Sequence, residues 1–285
     1  MAHSISLQRR LNHKILVLFN YFRIRIWYWS LISLFISRRT ATVFIVIVSC
    51  IFGLVVGSFI ATLTIRWPAS RSIGGRSRCG GCGRQLTVSE LVPLLSFVAL
   101  RGRCRTCSAA IGWRQPAIEI TGGIIGGTTL AVYPDLAGVF GAGFGWVMLT
   151  LALLDFEHFW LPDRLTLPLA AAGLMTGLLL QADFDERVIG AAAGYVSLWT
   201  VGMLYRLATG RHGLGGGDPK LFAAIGAWLG VTMLPTILLA ACALGFLYHG
   251  VDAVRGRRIH AQAQLPFGTM LAVAAWTVFI GMGNF

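Results

Sequence analysis

From residue 117 almost to residue 285 the chain is a succession of apolar stretches broken by short polar connections. That pattern constrains the fold more than any motif does. A run of about 20 apolar residues suits a helix crossing the hydrocarbon core, where a helix or closed barrel alone satisfies every backbone amide. Segments near 117–133, 137–155, 164–181, 188–206, 219–233, 234–252 and 267–284 fit this description, and Ala41 to Ile65 adds one ahead of them. The expectation is an all-α polytopic membrane protein of about eight transmembrane helices. Charged residues make up only 12% of the chain, against roughly 25% in soluble domains. Gly53, Gly57 and Ser58 mark the first span as one whose small residues admit a close neighbour.

The charge is lopsided. The net value of +13 belongs, in such a chain, to a positive-inside bias and contact with anionic lipid. No basic stretch outside the N-terminus carries the interleaved aromatics of a single-strand binder, so nucleic acid is not an expected partner and the lipid bilayer is. Residues 66–116 hold nine arginines (66, 71, 76, 78, 84, 101, 103, 105, 114), which assigns this loop to the cytoplasm. Alternation then puts 156–163, 207–218 and 253–266 on the same side, with Arg211, Arg255, Arg257 and Arg258. The opposite loops carry Asp135, Asp183, Asp185 and Glu186 with only Arg187. Residues 1–40 contain seven basic residues and no acid around Ile26-Trp27-Tyr28-Trp29. An interfacial helix accounts for them, with a further span over 15–37 as the alternative. No small-residue cleavage site follows a clean apolar core, so a cleaved signal peptide is not expected.

Within the arginine-rich loop stand Cys79-Gly80-Gly81-Cys82 and Cys104-Arg105-Thr106-Cys107, separated by 21 residues. Two such knuckles place four thiolates tetrahedrally around Zn²⁺, and in a reducing compartment disulfides are the weaker alternative. A loop of this size builds little core, so a structural metal has a physical purpose. Glycines near the first knuckle allow the turn that aims N–H groups at sulfur. Cys50 and Cys242 lie in apolar runs and read as buried small hydrophobes.

Two carboxylates stand at the edges of apolar segments. Leu151-Ala152-Leu153-Leu154-Asp155 closes one, and Gly215-Gly216-Gly217-Asp218-Pro219-Lys220 opens another. An ionisable residue there is costly and points to function by default. The charge-derived topology puts both on one side of the membrane, as a pair for acid–base hydrolysis requires. In such a pair one carboxylate is general base to water and the other, protonated, polarises the scissile carbonyl. The bland alternative is that each caps a helix at the headgroups. The glycines would bring backbone close to substrate and place Asp218 without a side-chain clash. Lys220 either snorkels to the interface, the preferred reading, or stabilises Asp218 as an ion.

These residues resemble the prepilin peptidases, the membrane leader peptidases of type IV pilus and type II secretion systems. The similarity runs over most of 41–275: Gly53-Leu54-Val55-Val56-Gly57-Ser58-Phe59 with Arg66-Trp67-Pro68, the two cysteine knuckles, Pro93-Leu94-Leu95-Ser96, Arg101-Gly102-Arg103-Cys104 and Arg114-Gln115-Pro116-Ala117-Ile118-Glu119. Asp155 through Leu161-Pro162-Asp163-Arg164-Leu165-Thr166 is similar to the family's first aspartate motif, Gly215 to Lys220 fits its GxGDxK motif, and Pro266-Phe267-Gly268 matches a late one.

The resemblance implies catalytic Asp155 and Asp218. Asp163 competes for the first role, and its alternative is to cap the next helix; Gly215, Gly217 and Lys220 support the motif. It implies prepilin or pseudopilin substrates with a short basic leader, cut at the membrane boundary in the bacterial inner membrane. It also implies methylation of the new N-terminal amine from S-adenosylmethionine, with Glu119 as a candidate participant; a helix N-terminal charge is the other reading of Glu119. Ala61, where many members have Asn, and Glu90-Leu91-Val92-Pro93, in place of an Asn-Ile-Pro approach, depart from the pattern in regions the resemblance links to methylation. The expected organisation is a basic interfacial extension (1–40), a first transmembrane helix (41–65), a cytoplasmic four-cysteine zinc-binding loop (66–116) and a transmembrane aspartyl peptidase domain (117–285).

A non-catalytic zinc-stapled scaffold would keep the cysteines and not need the aspartates. A transporter would show two related halves with broken helices, and no internal repeat is evident. His158 and His212 read as solvated loop histidines, and Trp146, Trp160 and Trp228 as interface or packing residues.

Overall fold

The computed structural model describes residues 40–180, 183–211, 213–255 and 265–283. The expected extension 1–40, apart from Thr40, and His212, Arg257 and Arg258 lie outside the described residues. The chain divides into two compact units, of which Val46–Phe285 is the second.

Among the described residues the protein is helical, without strands. Its helices are α1 (Thr40–Arg66), the short α2 (Leu95–Ala99), α3 (Arg114–Val132), α4 (Leu136–His158), α5 (Asp163–Leu179), α6 (Phe184–Thr209), α7 (Asp218–Leu229), α8 (Leu234–Val254) and α9 (Phe267–Gly281). Four of them, α1, α4, α6 and α8 over Leu234–Val251, are long and apolar enough to cross a membrane, and α9 is a shorter apolar helix. This is a multi-pass membrane protein, yet the eight expected spans are not confirmed. Helix α3 carries Arg114, Gln115 and Glu119 near its start, and α5 runs 17 residues.

The segment expected to span 219–233 behaves differently from its neighbours. Helix α7 has 12 residues, about 18 Å at 1.5 Å per residue against a hydrocarbon core of about 30 Å. It is buried on every side, with Leu221, Phe222, Ala224, Ile225, Ala227, Trp228 and Leu229 all inside. A helix apolar all round is one that other protein surrounds. Small residues make this possible: a Cβ on Gly194 of α6 would lie 2.6 Å from the Phe222 carbonyl oxygen, and one on Gly173 of α5 would lie 2.5 Å from Trp228 Cδ1. Trp228 also donates from Nε1 to the Leu169 carbonyl at 2.8 Å and meets the Phe144 ring at 4.8 Å. It is a packing residue, as is Trp146, whose Nε1 donates to the Gly122 carbonyl at 3.0 Å.

Helices α1 and α3 pack through glycine, as the small residues of the first span foretold. A Cβ on Gly57 would stand 2.7 Å from the Ile118 carbonyl oxygen, and one on Gly122 would stand 2.9 Å from Gly57 Cα. Cys50 packs beside Gly127 and is half-buried. Cys242 is exposed on α8, contrary to its reading as a buried hydrophobe; an apolar run in a lipid-facing helix buries its small residues no more than its large ones.

Candidate active site

The ends of α4, α7 and α9 bring Asp155 and Asp218 together. Both carboxylates are buried, each 5% exposed. Asp155 sits in the last turn of α4, and Asp218 opens α7 behind the glycine run. Leu161 links them: a Cβ on Gly217 would lie 2.6 Å from Leu161 Cβ, and one on Gly268 would lie 2.8 Å from Leu161 Cδ1 and 3.0 Å from Asp155 Cγ. The two are near enough for the charge of Asp155 to act on Asp218.

Each carboxylate is held on one oxygen. Asp155 Oδ2 accepts from the Thr269 amide at 2.7 Å and from Thr269 Oγ1 at 3.1 Å. Asp218 Oδ2 accepts from the Gly215 amide at 3.0 Å. Thr269 lies in the first turn of α9 and Asp218 in the first turn of α7. Two helix N-termini therefore face the pair, and their unsatisfied amides and dipoles favour negative charge. Among the described residues neither aspartate pairs with a cation. Gly215 and Gly217 are small for close approach, the first to Asp218 Oδ2 and the second to Leu161, whereas Gly216 has open space.

Asp163 is differently placed. It is the first residue of α5, whose N-cap is Pro162, so it does not cap that helix. Its exposed carboxylate takes both bonds of Lys220, at 2.7 and 2.8 Å. The Lys220 ammonium therefore pairs with Asp163 near the surface rather than with Asp218. Asp163 and Lys220 tie the start of α5 to the start of α7.

A second clamp joins the end of α4 to α1 and α3. Arg114 donates from Nε and Nη2 to the two Glu157 oxygens at 2.7 and 2.8 Å, from Nη1 to the Ala61 carbonyl at 3.0 Å, and from Nη2 to Thr64 Oγ1 at 2.8 Å. Glu157 lies two residues past Asp155. Sequence reasoning missed this pair and Thr269. Only the placement of Thr269 directly after Pro266-Phe267-Gly268, at the start of an apolar run, offered a signal.

The four cysteines between α1 and α3 come together, with all four sulfurs within 4.8 Å of one another and Cys79 Sγ 3.7 Å from Cys107 Sγ. A tetrahedral Zn–S distance of 2.3 Å implies about 3.8 Å between sulfurs, so the set fits a metal. The two knuckles share one backbone geometry. Cys79 N–H donates to Arg84 O and Gly83 N–H to Cys79 O; Cys104 N–H donates to Ala109 O and Ser108 N–H to Cys104 O. Gly83 and Ser108 both have positive φ, 70° and 56°. The amides of Cys107 and Thr106 lower the Cys104 thiol to about 6, towards the thiolate a metal requires. Behind it Arg84 binds Glu90 bidentately and holds that carboxyl down at about 2, while its Nη2 stands 4.0 Å from Cys104 Sγ.

Glu119 is buried a turn and a half inside α3, not at its N-terminus, so the helix-end reading fails. Its Oε2 accepts the Leu94 amide at 2.9 Å and its Oε1 accepts Gln115 Nε2 at 3.3 Å. Leu94 has φ 56°, a conformation that costs an ordinary residue energy, and Glu119 holds it there. Beside Glu119 a cavity of about 460 Å³ opens between the cysteine knuckles and α1 and α3, lined among others by Ser58, Gln115, Phe97, Leu100 and Arg66.

Residues 51–133 match the bacterial peptidase A24 N-terminal domain and residues 142–250 the type IV leader peptidase family. Curated relatives bearing the name prepilin leader peptidase/N-methyltransferase include one from Dichelobacter nodosus, 40% identical over 72% of this chain and 70% of its own. One from Burkholderia pseudomallei is 39% identical over 81% and 84%, and one from Pseudomonas aeruginosa is 34% identical over 82% and 90%. No solved structure matches the chain. With these relatives aligned over most of its length, the chain belongs to the type IV leader peptidase family.

Proposed function

We propose that this protein is a membrane aspartyl endopeptidase with Asp155 and Asp218 as its catalytic pair. It removes the basic leader of a prepilin or pseudopilin at the cytoplasmic face of the bacterial inner membrane and then methylates the new N-terminal amine. The observation that carries the reading is the shared arrangement of the two carboxylates: both are buried, each accepts an amide from a helix N-terminus or the loop before it, and no cation among the described residues pairs with either. Two adjacent carboxylates do not readily ionise together, so the pair shares a proton. The ionised member takes a proton from water as the water oxygen attacks the scissile carbonyl carbon. The protonated member donates to the carbonyl oxygen, and the leaving amine then collects a proton from the pair.

Thr269 fits this exchange. Its hydroxyl has one proton and two lone pairs, with the Ala152 carbonyl at 2.9 Å as a second acceptor. It donates to an ionised Asp155, or gives its proton to Ala152 and accepts from a protonated one. The exposed pair of Lys220, in the first turn of α7, with Asp163 supports a site near the membrane boundary.

The reading extends to zinc at Cys79, Cys82, Cys104 and Cys107. Four thiolates close the coordination shell, so the metal would staple the loop and leave no site for water. The cavity beside Glu119 supports a site for S-adenosylmethionine: its volume suits a small-molecule pocket, and its buried carboxylate complements a sulfonium or an amine. Methyl transfer would move a methyl group from the sulfonium to the deprotonated N-terminal amine, with the amine's proton leaving to a base. Incubating purified protein with a prepilin and S-adenosylmethionine tests both steps by mass spectrometry: loss of the leader and a methyl mass increment on the mature N-terminus. An intact prepilin after incubation with folded protein would favour the scaffold reading.

A further inference from the structure

A groove of about 840 Å³ lies at the end of α4, one turn past Asp155, and takes no part in the chemistry above. Two turns wall it. The first follows α1: Arg71 N–H donates to Arg66 O at 2.9 Å, and the Arg66 guanidinium closes the turn by donating to the Ile73 and Gly75 carbonyls, each at 3.2 Å. The second joins α4 to α5 through Phe159 in the left-handed region, φ 51°. Trp67 of the first and Trp160 of the second meet edge to face at 5.3 Å. Arg71, His158 and Arg164 complete the lining.

The charge here is uncompensated. The nearby acids are already engaged, Glu157 by Arg114 and Asp163 by Lys220. Among the described residues no acid pairs with the Arg71 or Arg164 side chain. The groove also lies where two crossing helices end, at Arg66 and His158, and a pair of tryptophans there is the arrangement of a membrane interface. A basic prepilin leader would be repelled from it.

We propose that this groove seats the phosphate of an anionic phospholipid headgroup, held by Arg71 and Arg164 with the two tryptophans against the glycerol and upper acyl region. Basic pockets at the ends of transmembrane helices take such headgroups. The groove exceeds what inorganic phosphate fills, and its aromatic wall suits an amphiphile.

Native mass spectrometry of the full chain in detergent, titrated with phosphatidylglycerol or phosphatidylcholine, tests this. Wild type should retain one phosphatidylglycerol in preference to phosphatidylcholine. Combining Arg71→Gln with Arg164→Gln should weaken that retention by about thirtyfold, and the Arg71→Lys, Arg164→Lys pair should stay within about threefold of wild type. Thermal unfolding of each variant checks that the fold survives. Equal retention of both lipids, or equal loss in the glutamine and lysine pairs, would overturn the proposal. Displacement of the lipid by millimolar inorganic phosphate would assign the groove to a soluble anion and overturn it as well.

Discussion

Replacing Thr269 by valine removes one hydroxyl and almost nothing else. Valine keeps the shape of threonine and keeps the amide that donates to Asp155 Oδ2 at 2.7 Å. The lost contact is the Oγ1 bond to the same oxygen at 3.1 Å. A hydrogen bond to a charged group is worth about 1.5–3 kcal/mol. The single hydroxyl proton is divided between Asp155 and the Ala152 carbonyl, which places the effect near the lower end. About 1.4 kcal/mol is a tenfold change in rate, so cleavage should slow about tenfold, with the fall in kcat and KM within about twofold. Thr269→Ser keeps the donor and should cleave at close to the wild-type rate. The assay is turnover of a purified prepilin in detergent, with thermal unfolding alongside. An unchanged rate in Thr269→Val would refute the argument, and so would a loss as complete as that of Asp155→Asn in a folded variant.

Adding one methyl separates the glycines of the second motif: Gly217→Ala, whose Cβ meets Leu161 at 2.6 Å, should lose activity and about 1–3 kcal/mol of stability from overpacking, whereas Gly216→Ala, with open space, should be near wild type in both. Glu119→Gln should lower methylation at least tenfold, by about 1.4 kcal/mol or more, and leave leader cleavage within about twofold; equal losses in both steps would make Glu119 a support for the whole fold. Cys104→Ser should lose bound zinc by elemental analysis, and a strong chelator should remove the metal from wild type and expose the knuckle thiols to alkylation; a metal-free wild type with protected thiols would exclude the metal reading.

The membrane class, the cysteine cluster and the meeting of Asp155 with Asp218 were legible because each rests on a local rule: apolar length, knuckle spacing, charge asymmetry across loops. The surroundings of α7 were not legible because an apolar run looks the same whether lipid or protein surrounds it, and only the glycines of α5 and α6 packed against it decide. Lys220 showed no partner in the sequence for a similar reason. Its partner, Asp163, lies 57 residues away, and a sequence gives no distance between them. The helix-end alternative for Glu119 arose because α3 begins earlier than the expected span, at Arg114. Arg114 with Glu157 and Thr269 with Asp155 are long-range pairs that no local pattern announces.

The central claim is that Asp155, not Asp163, works with Asp218. Purified wild type, Asp155→Asn, Asp218→Asn and Asp163→Asn should be compared on one prepilin under single-turnover conditions. Asp155→Asn and Asp218→Asn should each lose at least about 10³-fold in cleavage, within the range of lost acid–base catalysis, and remain folded. Asp163→Asn, which breaks an exposed ion pair with Lys220, should stay within about tenfold of wild type, since such pairs are worth at most about 1 kcal/mol. Cleavage that survives Asp155→Asn and disappears with Asp163→Asn would contradict the account.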